Sequence, residues 1–291
     1  MFIPLQTPRD RFLLKEQIKI DEEFLSERLH SFNWQHSVAK ECATKFFPMI
    51  PTVRNKMDKY IINITTENPF VNQILLVAET QDIVPVPYGR FVAYNHEEKR
   101  ATIELVIMKG WFETDNNKIK SLTSVIGHEL SHVGSILNKY DGDITAYVPH
   151  EQYENLILAM KATSNYSNYL EKDIYEYCYS MYCTSNVEIT AFISQTEFDL
   201  RKIAGKDFLT MNEIKKYLPL TNSYQAFTLA KNVAIKMLSR TKYDKEWFCE
   251  QLSKYGINVK NIDKQMKYLE YRADEGIEKC ASNAMNTLEE K

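Results

Sequence analysis

The feature that most constrains the fold is a helical run with two histidines and a glutamate close together on one face. From Asn117 onward, apolar residues recur at intervals of three and four, which is the pattern of a helix with one buried stripe. Within this run lies His128-Glu129-Leu130-Ser131-His132, an H-E-x-x-H sequence. Because positions i and i+4 of an α-helix share a face, the two imidazoles can bind the same ion. The chain must therefore fold so that this face meets a further ligand.

The spacing of these side chains suits Zn²⁺. A catalytic zinc ion is bound by neutral imidazoles and a third protein ligand, with a fourth position left open. The motif predicts His128 and His132 as metal ligands and Glu129 as the general base that takes a proton from a zinc-activated water. The predicted reaction is metal-assisted hydrolysis, most often of a peptide bond.

A plain structural reading of the motif is a pair of histidines that satisfy hydrogen bonds on a packed helix. Ile126 and Leu130 bury much of this helix, and adjacent buried polar groups are costly without a partner. A metal ion is such a partner.

The segments around the motif predict an α+β fold that is predominantly helical. Residues 1–70 have largely helical periodicity. Residues 73–79, 90–95 and 100–108 are rich in β-branched and aromatic residues, and 95–99 is a plausible hairpin turn. Three or four strands are therefore expected before the motif.

The rest of the chain is expected to be almost wholly helical. The predicted helical segments are 151–183, 186–202, 222–240, 244–255 and 259–288. We expect an N-terminal half at 1–140 with the sheet and zinc helix, and a helical half at 141–291 that carries the third ligand. Gly205 and Pro219 mark a possible sub-boundary near 205–221.

Several residues after the motif are candidates for the third ligand. The metzincin pattern is excluded, because Ser135 and Asn138 stand where that family has glycine and its third histidine. The other candidates are carboxylates or imidazoles that follow the helix, namely Asp141, Asp143, His150, Glu151, Glu154 and Glu188.

Glu188 is the best of these candidates because of its neighbours. The segment Asn186-Val187-Glu188-Ile189-Thr190-Ala191-Phe192 resembles the third-ligand segment of the gluzincins. In that clan a small residue follows the glutamate by three positions and an aspartate commonly comes next. Ala191 matches, whereas Phe192 replaces the aspartate that usually orients a zinc-bound histidine. Asn186, Glu197 or a tyrosine hydroxyl are possible substitutes.

The resemblance implies a zinc metallopeptidase with a zincin-like catalytic unit, in which a small sheet precedes the zinc helix and helices form the lower half. The implied metal ligands are His128, His132 and Glu188, with Glu129 as general base. Known zincins lay substrate along an edge strand, a place that residues 100–108 would take. A tyrosine of the run between the ligands, or Tyr147, is a candidate to stabilise the oxyanion. The run contains Tyr166, Tyr169, Tyr175, Tyr177, Tyr179 and Tyr182.

The alternative is a catalytically inactive zincin fold, or a helical structural or assembly protein, in which a metal only ties helices together. A fourth protein ligand such as His150 or Asp141 would favour this alternative, because closed four-ligand sites are structural.

Composition limits the partners. The chain has 36 basic and 39 acidic residues, a net charge of −3 and no long basic block, so nucleic acid is not expected as a partner. Apolar runs are too short to cross a bilayer, and Arg9, Asp10 and Arg11 interrupt any signal-like start. The five cysteines, without a CxxC pair, are expected to be reduced thiols. We expect a peptide or protein substrate, no membrane partner, and a cytoplasmic or otherwise intracellular setting.

Overall fold

The computed structural model describes residues 32–49, 60–65, 72–81, 88–95, 97–108, 115–140 and 150–288. These residues form a predominantly helical α+β structure with one small mixed sheet, which confirms the predicted fold class at that level. The strands are β1 (Tyr60–Thr65), β2 (Gln73–Gln81), β3 (Tyr88–Asn95) and β4 (Arg100–Met108). The α-helices of the described residues are α1 (Phe32–Phe46), α2 (Asp115–Tyr140), α3 (His150–Thr163), α4 (Tyr169–Cys183), α5 (Asn186–Ala204), α6 (Met211–Tyr217), α7 (Asn222–Leu238), α8 (Lys242–Ser253) and α9 (Ile262–Leu288), with short 3₁₀ turns at Phe47–Met49 and Leu218–Leu220.

Among the described strands, β3 lies at an edge of the sheet. The strand order is β1-β2-β4-β3, in which β2 and β4 are parallel and the two outer pairs are antiparallel. The expectation that residues 100–108 form the edge strand is wrong, because β4 pairs with β2 on one side and with its hairpin partner β3 on the other. The register of β3 shifts between Phe91 and Ala93, so Val92 is an extra residue of a bulge.

The strand β1 corrects the prediction that residues 1–70 are largely helical. Helix α1 agrees with that prediction, but β1 pairs antiparallel with β2, with Ile62 opposite Leu76. In β1 Ile64 is fully buried while Asn63 and Thr65 are exposed. This alternation follows from the two-residue period of a strand with one buried face.

A first hydrophobic core holds α2 against the sheet. The apolar stripe of α2 supplies Leu122, Ile126, Leu130 and Val133, which have no exposed surface. The strands supply Ile74, Leu76, Ile103 and Leu105, and α1 adds residues such as Phe46. Because the stripe is buried, the histidines of the motif have a fixed position beside it.

A second core lies among the later helices, and α5 contributes to both cores. Ile189 and Phe192 of α5 belong to the second core, whereas Phe198 of the same helix belongs to the first. The large buried residues of the second core include Tyr177, Phe227 and Phe248. The division into 1–140 and 141–291 stays a prediction.

The helical segments of the second half agree with the sequence pattern except in two places. The predicted segment 151–183 is two helices, because the side chain of Asn168 caps α4 by accepting the N–H of Glu171 at 2.9 Å. Helix α6 was not predicted and lies within the proposed sub-boundary at 205–221. No helix in the described part of the chain has the length and apolar character that a bilayer crossing requires.

Candidate metal centre

Three side chains of α2 form a buried cluster of potential metal ligands. His128, Glu129 and His132 are 9%, 5% and 6% exposed. Each offers one ligand atom, and these atoms lie within 4.8 Å of one another. The cluster follows directly from positions i, i+1 and i+4 on one helix. It can hold a metal ion.

Helix α5 brings Glu188 to the same place. Its carboxylate oxygens lie 3.2 Å from Nε2 of His128 and 3.6 Å from Nε2 of His132, and the side chain is 1% exposed. Two ligand atoms bound to one tetrahedral zinc ion are separated by about 3.3–3.6 Å, given bond lengths near 2.0–2.2 Å. Both distances from Glu188 to the imidazoles are therefore compatible with binding of one metal ion.

Polar contacts fix how α5 lies along α2. The hydroxyl of Ser124 donates to Oδ1 of Asp199 at 2.8 Å, and Nδ1 of His128 contacts Oε1 of Gln195 at 3.0 Å. Residue numbers rise on one helix as they fall on the other, so the two helices are antiparallel. The contacts set the axial position of Glu188 relative to the histidines.

A close approach of the two helices depends on Gly127. A Cβ atom at this position would lie 2.4 Å from the ring of Phe198. Only glycine leaves room for that ring against the backbone of α2. The sequence pattern predicts the small-residue role for Ala191, which is also fully buried, and gives no such prediction for Gly127.

The amide of Gln195 orients His128. Because the amide oxygen can only accept, Nδ1 of His128 donates this hydrogen bond. When the imidazole is protonated, Nε2 also donates to Glu188 at 3.2 Å, and loss of that proton would leave Nε2 free to bind a metal ion. Gln195 thus gives His128 a hydrogen-bond acceptor, the kind of partner that the resemblance led us to expect from an aspartate at position 192. Phe192, at the aspartate position, instead packs its ring edge against His128, with ring centroids 5.1 Å apart.

The role of Gln195 as the partner of His128 was not predicted, although its spacing from Glu188 in the sequence is a signal for it. It follows Glu188 by two helical turns, so both side chains lie on one face of α5. The substitutes considered earlier are engaged elsewhere. Asn186 accepts a hydrogen bond from Arg272 at 2.6 Å, and Glu197 accepts one from Asn283.

Burial and neighbouring charges shift the pKa values of His128, Glu129 and His132 by different amounts and in different directions. Burial lowers the pKa of His132 to about 4, which keeps this imidazole in the neutral, metal-binding form. Burial also acts to lower the pKa of His128, but the hydrogen bond with Glu188 and the charge of Glu129 outweigh it, so the pKa is raised. Burial raises the pKa of Glu129 to about 7 against the opposing effect of His128.

The bulged edge strand borders Glu129. The backbone N–H of Phe91 donates to Oε2 of Glu129 at 2.6 Å. A Cβ atom at Gly89 would lie 2.7 Å from Cγ of Glu129, so the β3 backbone runs directly against this side chain. The glutamate of the motif therefore faces an edge strand rather than the interior of the sheet.

The start of α5 is held from two sides. The hydroxyl of Ser185 caps the helix by accepting the N–H of Glu188 at 3.3 Å. Arg272 of α9, itself buried, donates to the carbonyl of Thr184 at 3.2 Å and to Asn186 at 2.6 Å. These contacts fix the backbone from which Glu188 projects.

No protein-family model, curated protein or solved structure matches this chain. Its function has to be inferred from the site itself.

Of the other ligand candidates, Glu154 is exposed on α3. His150 and Glu151 begin that helix, but their side chains are outside the described part of the structure. Residues predicted as possible ligands or catalytic groups that lie outside the described residues are Asp141, Asp143 and Tyr147. Among the tyrosines, Tyr179 forms a hydrogen bond with Cys183, and Cys183, burial and the charge of Glu188 all raise the pKa of this phenol.

Proposed function

We propose that this chain is a zinc metallopeptidase that hydrolyses peptide bonds at a gluzincin-like site within a zincin-like fold. The observation that carries the proposal is the carboxylate of Glu188, which lies against Nε2 of both His128 and His132 although it comes from a different helix. The sheet before the motif helix and the helical half after it agree with this architecture.

Two imidazoles and one carboxylate form a common ligand set of catalytic zinc. His128, His132 and Glu188 would hold the ion. When bound, zinc supplies a Lewis acid that polarises a carbonyl and makes water a nucleophile near neutral pH. Gln195 would keep His128 in the tautomer that leaves Nε2 unprotonated.

Glu129 is the general base of the proposed reaction. Its carboxylate accepts a proton from the attacking water and then delivers that proton to the leaving amine. The bulged strand β3 lies beside this carboxylate at the edge of the described sheet, where an extended peptide would add as a further strand. We therefore assign to β3 the substrate-binding role first expected for residues 100–108.

A structural metal site is the second candidate function. All four side chains are buried, and Glu129 lies close enough to the histidines to act as a fourth protein ligand. A closed site of this kind would tie α2 to α5 without catalysis. The role of Glu129 decides between the two functions.

The test measures zinc content and peptide hydrolysis in the same preparations. Catalysis predicts about one zinc per chain in the wild type and in Glu129→Gln, with hydrolysis of a quenched fluorescent peptide library reduced about 10²-fold to 10⁴-fold in the variant. Glu154→Gln, which changes an exposed carboxylate, is the matched control and should keep full activity.

Two results would contradict the catalytic proposal. If Glu129→Gln loses zinc, then Glu129 is a ligand and the site is structural. If His132→Ala retains both the metal and the hydrolysis of the wild type, then the metal and the active site lie elsewhere.

A further inference from the structure

A pocket lies at the end of the α2–α5 pair that is opposite the proposed metal ligands. Its volume is about 180 Å³, and its lining comes from α1, α2, α5 and the turn that follows α5. Arg201, which lines it, is thirteen residues after Glu188 on α5. This corresponds to about 20 Å along the helix. The pocket is therefore separate from the candidate metal centre.

The lining of this pocket is strongly cationic. A chain with a net charge of −3 concentrates five cationic side chains and a single carboxylate here. The cationic residues are Lys40, Lys120, Arg201, Lys202 and Lys206, and the carboxylate is Asp207. Lys206 also pairs with Glu213 at 2.8 Å, so the excess of positive charge is smaller than the lining residues alone indicate.

Helix capping accounts for only part of this charge. Arg201 and Lys202 lie in the last turn of α5, where cations stabilise the helix dipole, and Arg201 pairs with Asp207 at 3.3 Å. Lys40 comes from α1 and Lys120 from the N-terminal part of α2, where the helix dipole does not favour a cation. Convergence of like charges from three helices suits an anion.

The pocket also has an apolar wall. The rings of His36 and Phe198 stack with centroids 5.5 Å apart, and Ile119 adds an aliphatic surface. The pKa of His36 is lowered by burial and by the charges of Arg201 and Lys40, against the opposing effect of Asp207. This imidazole therefore contributes a neutral ring to the wall.

We propose that this pocket binds a small organic phosphate, with the phosphate among the cations and the organic part against Phe198. A phosphate monoester carries about two negative charges near neutral pH, which match several cations better than one carboxylate would. Arginine is suited to bidentate contact with phosphate oxygens. The pocket is larger than one phosphate group, so it has space for an apolar substituent as well.

The test uses phenyl phosphate as the probe and calorimetric titration of the full chain. Lys40→Gln/Lys120→Gln removes two exposed pocket cations, and Lys242→Gln/Lys267→Gln removes two exposed lysines of α8 and α9 as the matched control. The pocket variant should weaken phenyl phosphate binding about fivefold, while the control binds like the wild type. Benzoate should bind the wild type more weakly than phenyl phosphate.

A second measurement on the wild type does not depend on any variant. Amide NMR signals of Thr123 and Gly205, which line the pocket, should shift on addition of phenyl phosphate. The proposal is overturned if no binding is detected, if the pocket variant binds as tightly as the wild type, or if both double variants lose affinity equally. If phenyl phosphate binds at the metal centre instead, the pocket variant will bind it as tightly as the wild type does. That result also overturns the proposal.

Discussion

Gln195 holds His128 by the nitrogen that faces away from Glu188. We predict that Gln195→Leu lowers zinc affinity about 10-fold to 100-fold, because the imidazole loses the acceptor that fixes its tautomer and orientation. Gln195→Glu retains an acceptor and should bind zinc at least as tightly as the wild type. Competition with a chromophoric chelator measures both affinities.

The comparison of the two Gln195 variants separates orientation from packing. If Gln195 only packs against its neighbours, both variants should unfold at a lower temperature than the wild type. The two variants should then bind zinc with equal affinity. Equal affinities for Gln195→Leu and Gln195→Glu would therefore refute the positioning role.

Glu197 makes stability depend on pH. It is buried on α5, and burial raises its pKa from 4.5 to about 7. Between these values the folded protein keeps a proton that the unfolded chain releases, so the stability from this residue is fully present below pH 4.5 and lost as the pH rises through 7. Glu197→Gln should therefore raise the free energy of unfolding by about 2 kcal/mol more at pH 8 than at pH 5.

Urea unfolding at the two pH values measures this difference. Glu250→Gln removes an exposed carboxylate and is the matched control. A Glu197→Gln effect of equal size at pH 5 and pH 8 would show that the carboxyl group is not protonated in the folded protein.

At the scale of elements, the contact between α2 and α5 depends on Gly127. Alanine is favoured over glycine in an isolated helix by about 1 kcal/mol. Here the added methyl would meet the Phe198 ring at 2.4 Å, so we predict that Gly127→Ala instead destabilises the protein by about 1–2 kcal/mol. Thermal unfolding measures the change.

A double variant tests whether that destabilisation comes from the helix contact. Phe198→Leu removes the ring that the methyl would meet. Gly127→Ala should cost less in the Phe198→Leu background than in the wild type. Additive effects of the two substitutions would show that the ring is not the cause.

The sequence predicts elements with strong local patterns better than it predicts their neighbours in space. The stripe of α2 and the strands β2, β3 and β4 have clear periodicity or β-rich composition. Strand β1 and helix α6 are short and have weaker signals. The place of β4 inside the sheet was not predictable, because strand order follows from the hairpin and long-range pairing rather than from local composition.

The candidate site shows the same limit. His128, Glu129 and His132 are visible because one helix carries them at a fixed spacing, and Glu188 because its segment resembles a known pattern. The family pattern points to position 192, where this chain has Phe192, and gives no signal at Gln195. Which polar group reaches His128 depends on the rotation and axial position of α5, and these are set by packing.

At the scale of the whole molecule, a bound metal would join the two hydrophobic cores. The histidines project from the helix that covers the sheet, and Glu188 from a helix that also packs in the second core. We predict that removal of zinc by a chelator lowers the free energy of unfolding by about 3 kcal/mol at zinc concentrations a hundredfold above the dissociation constant.

The control for chelation is a variant that lacks one proposed ligand. Glu188→Gln should have the lower stability from the start and should respond little to the chelator, as followed by calorimetry. A chelator effect of equal size in Glu188→Gln and the wild type would mean that the stabilising metal binds elsewhere.

The contacts of Arg272 have a consequence for the order of synthesis on the ribosome. Every proposed zinc ligand has been translated once Glu188 is made, but the guanidinium that holds Thr184 and Asn186 belongs to α9, which is translated later. A nascent chain that ends before α9 contains the complete ligand set without the clamp at the start of α5. Full ordering of the candidate metal centre therefore depends on α9, and premature termination anywhere before Arg272 should leave it unfinished.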